Sequence, residues 1–242
     1  MSSGKYGAIS GAVARMQMMG NISEHLAAAK TPGYKKGVVT FEAKLGEATS
    51  GLATNGTNYS RLSEQQIDFT HGALEPSDDP LDLAINGEGF FQIQRPDGSF
   101  GYARKGDFQL NGEGQLINTK GWLVMDAAGG EIVLPHSNVD IGSDGSIWAD
   151  QEQIAQVGLF HFADTSILKK VGGEIFQPVD GTQPELHSSP QIEQGQLEGS
   201  NIDMMKTMVR MTANLRAFEA TQKALKIYSD MGAKSAEIGL VQ

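Results

Sequence analysis

No cysteine occurs anywhere in the 242-residue chain. Disulfides, thiolate nucleophiles and cysteine-based metal sites are therefore excluded, and the absence suits an oxidising compartment without proving one. Aromatic residues make up only 7 % of the sequence and proline only 8 positions. No apolar run is long enough to span a membrane as a helix. The first residues lack the basic, apolar and small-residue order of a cleavable signal peptide. Basic residues are outnumbered, 19 Lys and Arg against 29 Asp and Glu, and the net charge of −10 argues against a general nucleic-acid binder.

Catalytic signatures are missing as well. Gly87-Glu88-Gly89 has Gln92 where a dinucleotide fingerprint needs its third glycine, so it reads as a turn. Asp140 to Gln151 resembles a calcium loop, but Gly142 and Gln151 stand at its third and twelfth positions, where ligands belong. The five histidines, His25, His71, His136, His161 and His187, show no ligand spacing. No nucleophile-elbow sequence supports a serine triad. Asp78-Asp79-Pro80 reads as a solvated turn, and Phe90, Phe91, Trp122 and Trp148 read as core.

What is present divides the chain into ends and middle. Residues 1–46 are net +4 and residues 200–242 net +2, so the total of −10 leaves −16 to residues 47–199. This asymmetry suggests terminal helices around an acidic central body.

From about Asn201 to Ile238 there is no proline, and only Gly232 weakens a helical pattern. Met204, Met208, Met211, Leu215 and Phe218 step by four and three, and Leu225, Tyr228, Met231, Ser235 and Ile238 continue the stripe. The spacing predicts one apolar seam, close to a heptad, on a helix roughly 60 Å long at about 1.5 Å per residue. Ser200 or Asn201 is the expected N-cap. A helix of that length cannot bury its seam on a small domain, so it calls for a partner helix. The competing reading is a core helix of a monomer. Methionine is flexible enough to repack against more than one neighbour. Leu215 and Phe218 are both expected in a helix–helix contact made on assembly.

The N-terminal stretch carries a weaker version of the same pattern. Ile9, Ala12, Val13, Met16, Met19, Ile22 and Leu26 recur at threes and fours. Gly11 and Gly20 each weaken it by about 1 kcal/mol relative to alanine. The helix is expected to stop before Thr31-Pro32-Gly33. Two seams in one chain suggest that the terminal helices pair as a coiled coil. Residues 46–60 are small and polar and predict a flexible or extended loop.

From about Gln65 to Gln191 the pattern turns to β. Leu81 to Ile85 and Phe91 to Gln94 alternate, and turn signals follow at Asn86-Gly87, Pro96-Asp97-Gly98, Asn111-Gly112, Gly129-Gly130 and Asp144-Gly145. The intervening runs are short, and none has room for parallel crossovers, so the expectation is an antiparallel, hairpin-rich body. From Gly172 to Glu198 the chain reads as turn-rich. The expected organisation is a discontinuous helical domain (1–36 with 200–242), an extended linker (37–70) and a β domain (71–199). The middle, about 65–195, is expected to fold without the ends. The expected assembly interface is Ile9, Val13, Met16, Ile22 and Leu26 with Met204, Met208, Met211, Leu215, Phe218, Leu225, Tyr228, Met231 and Ile238.

Several blocks resemble the flagellar basal-body rod and hook family over nearly the full length. Thr31-Pro32-Gly33-Tyr34-Lys35-Lys36 looks like the signature after the family's N-terminal helix. His71-Gly72-Ala73-Leu74 and the run from Pro80 to Phe91, PLDLAINGEGFF, are similar to its most distinctive block. Tyr102 to Phe108 with Gly114-Gln115-Leu116 resembles the next. Gln194 to Ile202 and Arg216 to Lys223 resemble the C-terminal signature. The chain departs from the family at Ser23 to Lys30, where an Asn-rich run is usual. Length and the opening, Tyr6 to Ala14, look most like the proximal-rod, F-type branch, with the distal-rod, G-type branch as the alternative.

The resemblance implies a structural subunit of a bacterial, periplasm-spanning rod. It implies helical self-assembly through paired terminal helices, torque transmission, contacts with other rod proteins, and export by the flagellar type III apparatus without a cleaved signal. It implies no catalysis, no cofactor, no metal, no nucleic acid and no membrane insertion. From a different class, an antiparallel body with aromatics and acids also fits a carbohydrate-binding module or a glycosidase with paired carboxylates. A helical-oligomer adaptor outside flagella is a third possibility.

Overall fold

The computed structural model describes residues 2–45, 58–172, 174–179 and 181–239, with side chains over 7–40, 66–172, 174–179 and 181–234. The chain divides into two compact units. The first gathers 1–27, 37–66 and 203–242, and the second gathers 28–36 and 67–202.

The first unit contains helix α1 (Ser2–Ala27), strands β1 (Gly37–Leu45) and β2 (Asn58–Ile67), and a C-terminal helix that spans Met204–Gly239. The stretch expected as an extended linker thus holds a two-stranded ribbon, β1 against β2. Residues 46–57 of the expected loop lie outside the described residues. Helix α1 ends where the sequence says it should. Thr31 N–H donates back to the Ala28 carbonyl, Pro32 follows, and Gly33 takes φ +66°, which side chains disfavour. A Cβ on Gly33 would also collide with the Lys105 backbone.

The second unit is built from sixteen short strands. In order they are β3 (Leu74–Pro76), β4 (Leu83–Ile85), β5 (Phe90–Gln94), β6 (Phe100–Ala103), β7 (Phe108–Leu110), β8 (Leu116–Asn118), β9 (Leu123–Val124), β10 (Asp140–Ile141) and β11 (Ser146–Ala149). There follow β12 (Glu152–Gln156), β13 (Leu159–His161), β14 (Leu168–Gly172), β15 (Ile175–Pro178), β16 (Glu185–Leu186), β17 (Ile192–Gln194) and β18 (Gln196–Glu198). Seven of them run in the order β14-β15-β6-β5-β9-β8-β7, and β13 joins the same sheet by pairing with β5 and β16. A second sheet, β10-β11-β12, and two ribbons, β17 with β4 and β18 with β3, complete the unit. Every described pair is antiparallel, for example Phe91 opposite Ala103 and Ile192 opposite Ile85. The fold is therefore mainly antiparallel β with an N-terminal and a C-terminal helix.

Strand alternation splits the Phe90-Phe91 pair between two cores. Phe91 joins Leu83, Ile85, Phe108, Val124, Ile147 and Leu159 in the larger core. Phe90 joins Tyr102, Phe162, Leu168 and Phe176 in an aromatic cluster, with edge-on ring contacts such as Phe69 to Phe90 at 5.3 Å. One sequence reading gains detail and one needs correction. The turn-rich stretch from Gly172 to Glu198 also holds β15 to β18, and Ile175 and Phe176 are buried. Proline and turn residues between these strands hid their two- to four-residue length. Trp148, expected in the core, is 42 % exposed, because neighbouring strand residues point to opposite faces and Ile147, at 0 % exposure, takes the inner one.

Candidate functional site: an assembly interface

The C-terminal helix, α2 (Met204–Gly239), is 36 residues long against 26 for α1. Its cap is Asp203 rather than Ser200 or Asn201. The Asp203 carboxylate accepts from Lys206 N–H at 2.9 Å, and its carbonyl accepts from Thr207 N–H at 2.9 Å. Asn201 is occupied elsewhere: its Oδ1 accepts from Lys36 N–H and its Nδ2 donates to the Asp68 carbonyl. Ala29 and Lys30 face Gly199 and Ser200 across one groove. Helix α1 therefore ends where α2 begins, and the two run antiparallel.

Burial on α2 follows a single row. Met204, Thr207, Met211, Asn214, Phe218, Thr221 and Leu225 are buried or half-buried, at alternating steps of three and four, while almost everything between them is exposed. This is the face toward α1. Asn214 fixes the match, since its Nδ2 donates to the Arg15 carbonyl at 2.9 Å from a side chain only 3 % exposed as a residue. Thr207 and Thr221 satisfy their hydroxyls on their own helix, bonding the Asp203 and Ala217 carbonyls.

The residues expected in one interface thus fall into two groups. Met204, Met211, Phe218 and Leu225 lie on the row facing α1, and Ile22 and Leu26 are covered on α1. Ile9, Val13 and Met16 on α1, and Met208, Leu215, Tyr228 and Met231 on α2, are exposed; Leu215 is 44 % exposed. Met205 and Val209 extend the uncovered row and were not singled out by the sequence. From Lys226 to Lys234 every side chain of α2 is exposed. The side chains of Ser235 and Ile238 lie outside the described residues. Sequence periodicity found an apolar stripe but could not see that a row containing Thr207, Asn214 and Thr221 is the one covered.

Sequence reasoning missed a second feature altogether, a buried charge cluster in the β unit. Lys35 donates to Glu198 at 2.6 Å with both side chains fully buried, and donates again to the Thr70 carbonyl at 2.8 Å. Arg104, 3 % exposed in its side chain, meets the other Glu198 oxygen at 3.3 Å. Its guanidinium also donates to the Gly89 carbonyl at 2.9 Å and the Gly87 carbonyl at 2.7 Å. Those two glycines take φ +124° and +125°, which lets the turn aim both carbonyls at one cation. His71 Nδ1 lies 2.7 Å from Arg104. A guanidinium can only donate, so Nδ1 accepts and the imidazole proton sits on Nε2. Burial, then the neighbouring Arg104, push the His71 pKa down. Burial also lowers Lys35, against the pull of Glu198. At the rim, burial acts to raise Asp68, but hydrogen bonds from Thr70 and the Lys36 ion pair outweigh it and hold its pKa at about 2.

The cluster explains the blocks noted in the sequence. Tyr34-Lys35-Lys36, His71-Gly72, Asn86 to Gly89, Arg104 and Glu198 come from five separate stretches and meet at one place. Gly72 is needed there because a Cβ would collide with the Gly199 carbonyl. Among the described residues no three His, Asp or Glu side chains gather as a metal site, and no helix is long and apolar enough to cross a membrane.

Comparison with known proteins gives two family matches. Residues 84–149 match the flagellar hook protein FlgE/F/G D1 domain, and residues 193–238 match the flagellar basal body rod FlgEFG protein C-terminal region. The chain is similar to flagellar basal-body rod protein FlgG of Buchnera aphidicola subsp. Schizaphis graminum, with 31 % identity over 91 % of this chain and 93 % of the relative. It is 30 % identical to FlgG of Bacillus subtilis over 91 % of this chain and 92 % of that one. It is 28 % identical to flagellar basal-body rod protein FlgF of Mesorhizobium japonicum over 93 % of each chain.

Proposed function

Because this chain belongs to the flagellar basal-body rod protein family, a family of structural proteins and not of enzymes, we propose that it is a rod subunit whose uncovered helix rows are its assembly surface. The observation that carries this reading is the pair of exposed apolar rows, Ile9, Val13 and Met16 on α1 and Met205, Met208 and Leu215 on α2. A soluble monomer has no use for two such rows. Helices α1 and α2 pair through their heptad-spaced faces as a short antiparallel coiled coil. Their outer rows then contact further copies or other rod proteins. The two rows differ in sequence, so a contact of one with the other is heterologous and propagates as a helix instead of closing into a dimer. Such a helical stack transmits torque across the periplasm through many lateral contacts.

Both F-type and G-type relatives align over nearly the whole chain, and the length and opening residues favour the proximal-rod, F-type assignment. Export by the flagellar type III apparatus, without a cleaved signal, belongs to the same reading. The test is to place a charge on the outer rows, Val13→Glu or Leu215→Glu, in cells that build flagella. The expected result is an exported chain with an unchanged melting profile when purified, no completed rod and no motility. A normal rod in both variants would overturn the assignment of these rows.

A further inference from the structure

Lys35, Arg104 and Glu198 form a cluster of two cations and one carboxylate, with side chains 0 %, 3 % and 0 % exposed. The cations sit early in the chain and the carboxylate late; the Lys35–Glu198 bond spans 163 positions. The nearby acids do not substitute for Glu198. Glu88 is 73 % exposed in its side chain and lies by His161, and Asp68 pairs with Lys36. Lys35 and Arg104 also disfavour each other's charge. Glu198 reaches the cluster on β18, which among the described residues pairs with β3 alone, and its carbonyl takes the Gly33 N–H at 2.6 Å. Its Oε1 takes the Gly72 N–H at 3.0 Å as well.

We propose that Glu198 is a closing latch: the β unit stays open until the last ribbon strand delivers the one carboxylate that two buried cations require. Burying Lys35 and Arg104 without it leaves two like charges in a dry site, which is far worse than leaving them in water. A chain delivered from its N-terminus therefore holds this unit open while residues up to 197 arrive, and closure waits for nearly the whole chain. A charge triad adds little to stability over an apolar equivalent of the same shape, so timing of closure is the property it confers. The inference concerns the β unit alone and does not depend on the assembly surface proposed above.

The experiment uses the full chain, with emission of Trp122 and Trp148 as the probe, since both tryptophans lie in the β unit. Three variants are compared: Glu198→Gln, Lys35→Met, and the two together. Glu198→Gln is expected to raise the equilibrium fraction of open unit roughly a hundredfold or more and to slow refolding. Lys35→Met, which leaves Arg104 and Glu198 as a balanced pair, is expected to be mild. The double variant is expected to regain much of what Glu198→Gln loses, and it keeps the test decisive if the single variant fails to fold. The proposal is overturned if Glu198→Gln is no worse than Lys35→Met, or if the double variant is no better than Glu198→Gln. It is equally overturned if Glu198→Gln speeds unfolding and leaves refolding unchanged, because Glu198 would then join after closure.

Discussion

The two units of this chain handle their difficult residues in opposite ways. The helical unit leaves apolar side chains in water: Met205 is 74 % exposed and Val209 68 %. Its covered row, by contrast, contains Thr207, Asn214 and Thr221. The β unit seals most of its aromatic residues, with Phe91 and Phe176 at 0 % exposure, although Trp148 and Leu186 stay outside, and it also seals three charges. The β unit buries what water rejects and pairs what it must bury. On the assembly reading proposed above, the helical unit is one that neighbours complete, with a weak internal seam and its better apolar surface outward.

The largest effect that would sharpen this contrast is in the β core. Phe91 packs edge-on against Phe108 at 5.1 Å, and Phe91→Ala is expected to destabilise the β unit by about 3–5 kcal/mol. Tryptophan-detected unfolding should show the loss. If the midpoint hardly moves, the β unit does not rest on this core.

Next comes the pair Phe218→Ala and Leu215→Ala. Phe218 lies on the row facing α1 and is half-buried, so its truncation is expected to lower helix-pair stability by roughly 1–2 kcal/mol, below the full-core value. Leu215→Ala should leave the free chain unchanged and impair rod completion. Hydrogen exchange on the free chain is expected to show α1 and α2 less protected than the β strands. Equal protection, or equal response to the two substitutions, would erase the distinction between covered and uncovered rows.

A smaller effect is expected from Gly20→Ala. A Cβ there meets nothing within 4 Å, so replacement should stabilise α1 by at most about 1 kcal/mol. Slower exchange of α1 amides would register it, and a loss of helicity would mean that the glycine is needed for packing. Smallest is a pH effect in the β unit. The folded pKa of His71 is lowered, so the unfolded chain binds more protons and stability rises with pH through that window. The contribution is therefore lost as pH falls below about 6.5, the unfolded histidine value. His71→Gln, which keeps an acceptor near Arg104, should flatten that part of the midpoint-against-pH curve. A curve unchanged by the substitution would assign the acid sensitivity to other groups.

Helix α1 could be read from its repeat and its Thr-Pro-Gly stop, and α2 from a proline-free heptad stripe. The hairpins from β5 to β9 were legible because Asn-Gly, Asp-Gly and alternation act within a few residues. β15 to β18 were not, since two- to four-residue strands between prolines carry too little pattern to distinguish from turns. The Asp203 cap was missed because Ser200 and Asn201 have the same local chemistry, and only their bonds elsewhere tell them apart.

By itself the sequence determined the mainly β body with helical ends, the acidic middle, and the heptad spacing on both helices. The acidic middle is a matter of composition, and the rest arise from backbone preference and periodicity, which act over one or two turns of chain. Tertiary structure alone decided which helix row is covered, since Asn214 had to find the Arg15 carbonyl 199 positions away. It alone decided that Trp148 takes the outer face of β11 and Ile147 the inner one. It alone brought Lys35, His71, Arg104 and Glu198 together, because a single charge announces no partner in sequence. Its partner is set by which distant strands come to lie side by side, and by the cost of leaving that charge in a dry interior without one.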